Sequence, residues 1–321
     1  MKVFNDIDRG AKLIAQGNLV SFPTETVYGL GANAFDPLAV AKIFETKERP
    51  TFDPLIVHIC EISQLPDLYN GNDERVFRLA QRFWPGPLTL VLPKTEAVPD
   101  LVTSGLDTVA VRMPDNQIAL ELIRKSKTPI AAPSANKFGM ISPTEAAHVR
   151  KQFPDIFTID GGTTHVGIES TVITLNEDGF EILRPGVITA EDLMEIVPQS
   201  IHKAIQTDLH APGLLKSHYS PKKPMYIADD PCISSKEKAR GGLISFGIPD
   251  KDCPFAKTEV LSESKDLREA AANLFRVMHR LDESDIDYIV AEPVPEEGIG
   301  IAIMNRLVKA AYPDKNHNHE S

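Results

Sequence analysis

No stretch of about 18 apolar residues, the length a bilayer demands, occurs in this sequence. The longest apolar runs, such as "LTLVL" at 88–92, are strand-sized, so no membrane association is expected. Cysteine is scarce. Cys60, Cys232 and Cys253 lie far apart, forming neither a C-x-x-C metal signature nor an even disulfide framework, and reduced thiols in a cytoplasmic protein are the expectation. The N-terminus "MKVFNDIDRGAKLIAQG" has acids and no unbroken apolar core, which makes it a poor secretory signal. Positive charge is also in deficit. The net charge is −11, and neither the first 205 residues nor the remainder is basic, which argues against a protein that coats nucleic acid. A local cationic groove stays compatible with that average, because a few arginines can converge in space.

The 321 residues suffice for two domains. Ile7, Ala11 and Ile14 share one face of an amphipathic N-terminal helix that Gly17 stops. β-type runs at 19–23, 55–60, 88–92, 108–113, 129–132, 157–160, 170–175 and 181–184 alternate with helical periodicity at 37–48, 73–83, 116–126, 144–152 and 190–197. That order predicts an α/β fold with a twisted mixed sheet, since the strands clustered near 157–184 call for some antiparallel pairing. The stretch 206–224, "QTDLHAPGLLKSHYSPKKP", has three prolines, a glycine and no period, so it reads as a linker between a catalytic domain at 1–205 and a smaller α/β domain at 225–321. The polar end "DKNHNHES" reads as a frayed tail.

The chemistry-bearing residues are individually modest. Tyr28-Gly29-Leu30-Gly31 lacks both the Gly-Lys-Ser/Thr end of a P-loop and the third glycine of a dinucleotide fingerprint, so its glycines are expected to serve a tight turn. Lys47 and Arg49 close the helix begun near Pro37. There they either complement the helix dipole or clamp a triphosphate, and spacing alone does not choose. His58 in "PLIVHIC" suits a hydrogen-bonded core histidine. Arg112 in "TVAVRMP" needs an anionic partner, either a structural carboxylate or that of a ligand. Ser134 and Asn136 in "APSAN" stand at a strand end, where α/β proteins bind ligands and where turns also favour these residues. Ser170 begins one strand and Arg184 ends another. The inventory holds hydroxyls, amides and cations but no evident nucleophile, which suits phosphoryl or nucleotidyl transfer by positioning and charge stabilisation.

Taken in order, "PTETVYGLG", "KERP", "PLIVH", "VAVRMP", "PSAN", "ESTV" and "LRPG" resemble the YrdC-like threonylcarbamoyl-AMP synthases. "HYSPKKP" and "AEPVPEEGIGIAIMNRL" extend the resemblance to the two-domain form and to essentially the whole chain. The resemblance implies a YrdC-like sheet with a concave groove and a smaller, Rossmann-like C-terminal domain. It implies a nucleotidyltransferase that makes threonylcarbamoyl-AMP and pyrophosphate from L-threonine, bicarbonate or CO2, and ATP, with Mg2+. The product would pass to separate transferase components that modify tRNA, with tRNA itself at most a transient partner. By position, Thr26, His58, Arg112 and Ser170 would contact threonine. Lys47, Arg49, Asp53, Thr108, Ala132, Ser134, Asn136, Ser142, Arg184 and Tyr219 would hold the nucleotide, with Lys47 and Arg49 stabilising charge. Asp53 stands where the family usually has asparagine, and Thr24 is left without an assigned contact. Rival readings are a double-stranded RNA-binding module of translation, disfavoured by the acidic balance, and a nucleotide-binding paralogue without synthase activity.

Overall fold

The computed structural model describes residues 2–201, 217–228, 230 and 237–312. Its first unit is an eight-stranded mixed sheet, ordered β1 (Val20–Pro23), β2 (Tyr28–Asn33), β6 (Ile130–Ala131), β3 (Ile56–His58), β5 (Thr108–Arg112), β4 (Leu88–Pro93), β7 (Thr171–Leu175) and β8 (Phe180–Arg184). The β3/β5 and β4/β7 pairs are parallel and the remaining pairs antiparallel. Alternate residues serve different cores, as a pleated strand requires. Val57, Leu90 and Val111 join the large core beneath α2 (Pro37–Lys47) and α3 (Glu74–Phe83), whereas Ile56, Val91 and Ala110 cluster apart from it. A further core packs Phe22 and Ile130 against Ile7 and Ile14 of α1 (Lys2–Ala15) and Leu122 of α5 (Gln117–Ser126). Short helices α4 (Asp100–Thr103), α6 (Ala146–Gln152) and α7 (Ala190–Met194) complete the unit.

The second unit is a four-stranded, all-parallel sheet. Its order is β11 (Lys257–Val260), β10 (Gly241–Ser245), β12 (Tyr288–Ala291), β9 (Met225–Ile227), with α8 (Leu267–Asp282) and α9 (Ile299–Ala311) packed on it. Its core of Leu274, Phe275, Met278, Ile289, Ile303 and Leu307 also takes in Val27, Ile141, Ile168 and Tyr219. One apolar seam therefore joins the two units.

Three expectations are corrected. The Gly-x-Gly lies inside β2, with no turn, because Phe22 of β1 packs across it. A Cβ on Gly31 would stand 2.6 Å from Ile130 Cγ2 and 2.7 Å from Phe22 Cε1. The run 157–160 forms only an isolated parallel bridge, Ser21 to Thr158, and no strand. Of the expected linker, residues 206–216 lie outside those described, as do Cys232 and the polar tail. Residues 217–224 are no plain spacer: Tyr219 is fully buried and Ser220 bridges to Met140. Residues 188–201 stay with the first unit, as Leu193 and Val197 enter its core and Phe180 bridges to Gln199. Cys60 and Cys253 are free thiols, and no helix among the described residues is long and apolar enough to cross a membrane.

Candidate active site

A cavity opens where the ends of β1, β3, β5 and β8 meet the loop after β6 and the His218–Tyr219 segment. Among its lining residues are Thr26, Arg49, His58, Arg112, Ala132, Ser134, Arg184 and Tyr219, eight of the residues expected from sequence. The enclosed space is about 50 Å³. That holds a few waters and falls well short of the several hundred Å³ typical of ligand pockets. His218 and Tyr219 occupy one side of it.

One wall is built on Arg112. The last residue of β5, it is almost wholly buried, with Nη2 2.6 Å from Glu25 Oε1. Its Nη1 donates to Thr26 Oγ1 at 3.0 Å and its Nε to the Gly86 carbonyl at 3.3 Å. The anionic partner that a buried arginine needs is thus a structural carboxylate, Glu25, which sequence reasoning passed over. Thr24 fastens the same turn, its Oγ1 2.8 Å from Thr26 Oγ1 and donating to the Val27 carbonyl at 2.7 Å. His58 pairs with Arg112 across the parallel strands β3 and β5 and meets Phe22 edge-on. Burial, reinforced by the Arg112 charge, pulls His58 down to about 3. It is therefore neutral at pH 7, and its Nδ1 has no protein partner.

The lining also carries Arg49, Ser134 and Arg184. Asp36 caps α2 by accepting from Leu38 and Ala39 N–H, and left-handed Glu48 (φ 55°) ends it, turning Arg49 inward. Arg49 Nη2 lies 2.9 Å from Asp53 Oδ2, and its Nε and Nη2 donate to the carbonyls of Asp53 and Pro54. Asp53 therefore serves by holding Arg49 and does not itself line the cavity. Lys47 does not line it either. Its ammonium donates to the Ser134 carbonyl at 2.6 Å and to that of Asn136, tying the "PSAN" loop to the helix end. Burial, with Arg49 nearby, pulls the Lys47 pKa well below the ordinary lysine value against the opposing pull of Asp53. Asn136 Nδ2 braces the carbonyls of Lys137 and Met140.

Ser170 is fully buried behind the cavity. Its Oγ is 2.7 Å from Thr89 Oγ1, and Arg184 donates to its carbonyl at 3.2 Å and its hydroxyl at 3.1 Å. Ser142 likewise stands behind the lining and donates to Glu169 Oε1 at 2.6 Å. Thr108 opens β5 opposite Pro93, at the end away from Arg112, and the structure does not bring it to the cavity. The lining residues that sequence reasoning missed include Glu169 and His218. Burial raises the Glu169 carboxyl, but Arg306, Arg184 and the Ser142 hydrogen bond outweigh it and hold the pKa below the usual value. His218, pulled to about 3 by burial, is neutral, and burial pushes the Tyr219 phenol up to about 12. Neither His218 Nδ1 nor the Tyr219 hydroxyl has a protein partner. With His58 Nδ1, three orphaned polar atoms thus belong to side chains that line one cationic cavity. Such an arrangement is made to accept an anionic ligand rich in hydrogen-bonding groups.

The Sua5/YciO/YrdC family model, described as "Telomere recombination", matches residues 12–186, and that of the threonylcarbamoyl-AMP synthase C-terminal domain matches 188–312. The threonylcarbamoyl-AMP synthase of Pyrococcus abyssi is 46% identical over 320 residues, spanning 94% of this chain and 92% of the relative. That of Bacillus subtilis is 43% identical over 324 residues, spanning 95% and 92%. The crystal structure of P. abyssi Sua5 complexed with L-threonine superposes with a TM-score of 0.84 at 44% identity, covering 95% of this chain and 94% of that one. With both units matched in order over nearly its full length, the chain belongs to the two-domain, Sua5-type threonylcarbamoyl-AMP synthase family of enzymes.

Proposed function

We propose that the chain makes threonylcarbamoyl-AMP and pyrophosphate from L-threonine, bicarbonate or CO2, and ATP. The observation that carries this reading is the pairing of two walls in one cavity. Arg112, Thr26 and neutral His58 offer a carboxylate and hydroxyl site, and Arg49, Arg184 and Ser134 line the same cavity as a polyanion site. The threonine amine attacks CO2 and loses a proton to give a carbamate. A carbamate oxygen then attacks the α-phosphorus in line, forming the mixed anhydride as the α–β bridging oxygen leaves with pyrophosphate. The chain supplies position and charge, and the substrate is its own nucleophile. Magnesium would enter with the nucleotide. Substrate entry requires the His218–Tyr219 segment to give way, because the present space is too small for a nucleotide. The adenylate would be handed to a transferase that modifies tRNA, in keeping with an acidic protein that needs no lasting grip on RNA.

The test is pyrophosphate release from ATP and bicarbonate, with and without L-threonine. A threonine-dependent signal is expected, and its absence in folded protein would sink the proposal. Steep salt-dependent binding of duplex RNA in its place would favour the RNA-module reading.

A further inference from the structure

The wall next to Arg184 has a feature that the proposed reaction does not explain. Glu169 places a carboxylate in the lining of a cavity otherwise furnished with arginines. A bare negative charge there would repel an incoming polyphosphate. Its neutralising partner comes from the other unit. Arg306, on α9, is wholly buried, and its Nε donates to Glu169 Oε2 at 3.2 Å. Its Nη1 donates to the carbonyl of Pro185, the residue after Arg184, and its guanidinium lies over the Tyr219 ring at 5.6 Å. The second Glu169 oxygen is taken by Ser142 Oγ, and the Ser142 carbonyl meets His279 Nε2 of α8 at 3.1 Å. The C-terminal unit thus reaches Glu169 directly from α9 and, by way of Ser142, from α8. An apolar contact would have sufficed to hold the units together, and the shared core already supplies one.

We infer that Arg306 is a positioning residue for the reaction: it cancels and aims the Glu169 carboxylate, so that the C-terminal unit completes the nucleotide site of the N-terminal one. The inference rests on the reading of the cavity as a nucleotide site. It gives the second unit a definite task, one that two matched arginine–carboxylate groups on one chain can perform without any ligand of their own. Glu169 cannot simply shed its charge, because Arg306, Arg184 and Ser142 all favour the carboxylate form.

The experiment uses the full-length chain and four proteins: wild type, E169Q, R306M and E169Q/R306M. Each is checked for folding by thermal unfolding. ATP affinity is measured by calorimetry and threonine-dependent pyrophosphate release by steady-state kinetics. R306M should weaken ATP binding and raise the KM for ATP at least tenfold, while the KM for threonine moves less than threefold. In the E169Q background, where no charge needs cancelling, the same substitution should change ATP affinity by less than twofold. An equal tenfold loss in both backgrounds would show Arg306 to be mere packing and overturn the inference, as would a loss below twofold in the wild-type background. Should R306M alone fail to fold, E169Q against E169Q/R306M still decides: equal ATP affinity supports the inference, and a tenfold difference overturns it. Failure of the synthase proposal is read separately, as wild-type protein that binds ATP but releases no threonine-dependent pyrophosphate.

Discussion

The two sheets treat the polar groups at their strand ends in opposite ways. At the carboxyl ends of the parallel strands, where α/β folds commonly bind ligands, the second unit is closed on itself. Ser245 Oγ and Phe246 N–H both donate to Glu292 Oε2, at 2.6 and 3.0 Å, and Ser262 Oγ donates to Glu269 Oε2 at 2.5 Å. In the mixed sheet, the ends of β3 and β5 deliver His58 and Arg112 to a cavity where His58 Nδ1, His218 Nδ1 and the Tyr219 hydroxyl lack protein partners. Fold type alone would point to the second unit, and the orphaned polar atoms lining the cavity point to the first.

The comparison can be broken at its strongest point. Arg112→Met would strand Glu25 as an unpaired buried carboxylate, a loss of about 3–5 kcal/mol by the usual cost of halving a buried ion pair. It should also abolish threonine-dependent turnover while sparing ATP affinity by comparison. Urea unfolding and calorimetry check both, and equal losses for the two substrates would contradict the wall assignment.

A pH test probes the seam between the units, where His148 of α6 and His279 of α8 stack at 3.8 Å. Burial lowers them to about 4 and about 3. Both are neutral in the folded protein, whereas the unfolded chain takes up protons below about 6.5. Stability is therefore complete above that pH and falls as the pH drops toward 4. The loss at pH 5 should be about 2 kcal/mol for each histidine. Denaturant titrations at pH 7 and 5 measure it, and His148→Phe should roughly halve the dependence.

Gly31→Ala tests the packed strand. Its methyl would press on Ile130 and Phe22, costing about 1–3 kcal/mol as overpacking does. A turn-forming glycine at this site would show a comparable loss with Phe22 already trimmed to Ala. Relief in that double variant supports the packing account. The smallest effect sharpens the contrast: Ser245→Ala should cost about 1 kcal/mol and leave synthase kinetics unchanged.

Much of this was legible in the chain. Apolar runs marked β1, β3, β4, β5, β7 and β8, and periodicity from 37 and 116 marked helices whose caps, Asp36 and Asn116, the structure supplies. β2 escaped because two glycines erase the β-branched signature, and the reason for them is a phenylalanine on the neighbouring strand. β11, "KTEV", escaped as a half-exposed edge strand. Among site residues, cations and hydroxyls at strand ends were readable, but Glu25, Glu169 and Arg306 were not. A charged residue looks solvated until its partner is known, and the partner of Glu169 lies 137 positions away.

The narrowness of the cavity carries a kinetic corollary. On the proposed reaction, a space of about 50 Å³ would have to open to admit a nucleotide and again to release the adenylate, so each turnover would contain two chain movements around one chemical step. If closing also shields the mixed anhydride from water, slow egress preserves the product. Rapid-mixing experiments should then reveal a burst of pyrophosphate followed by a slower steady rate set by departure of the adenylate. The enzyme would be a carrier between reactions, with its clock in the backbone.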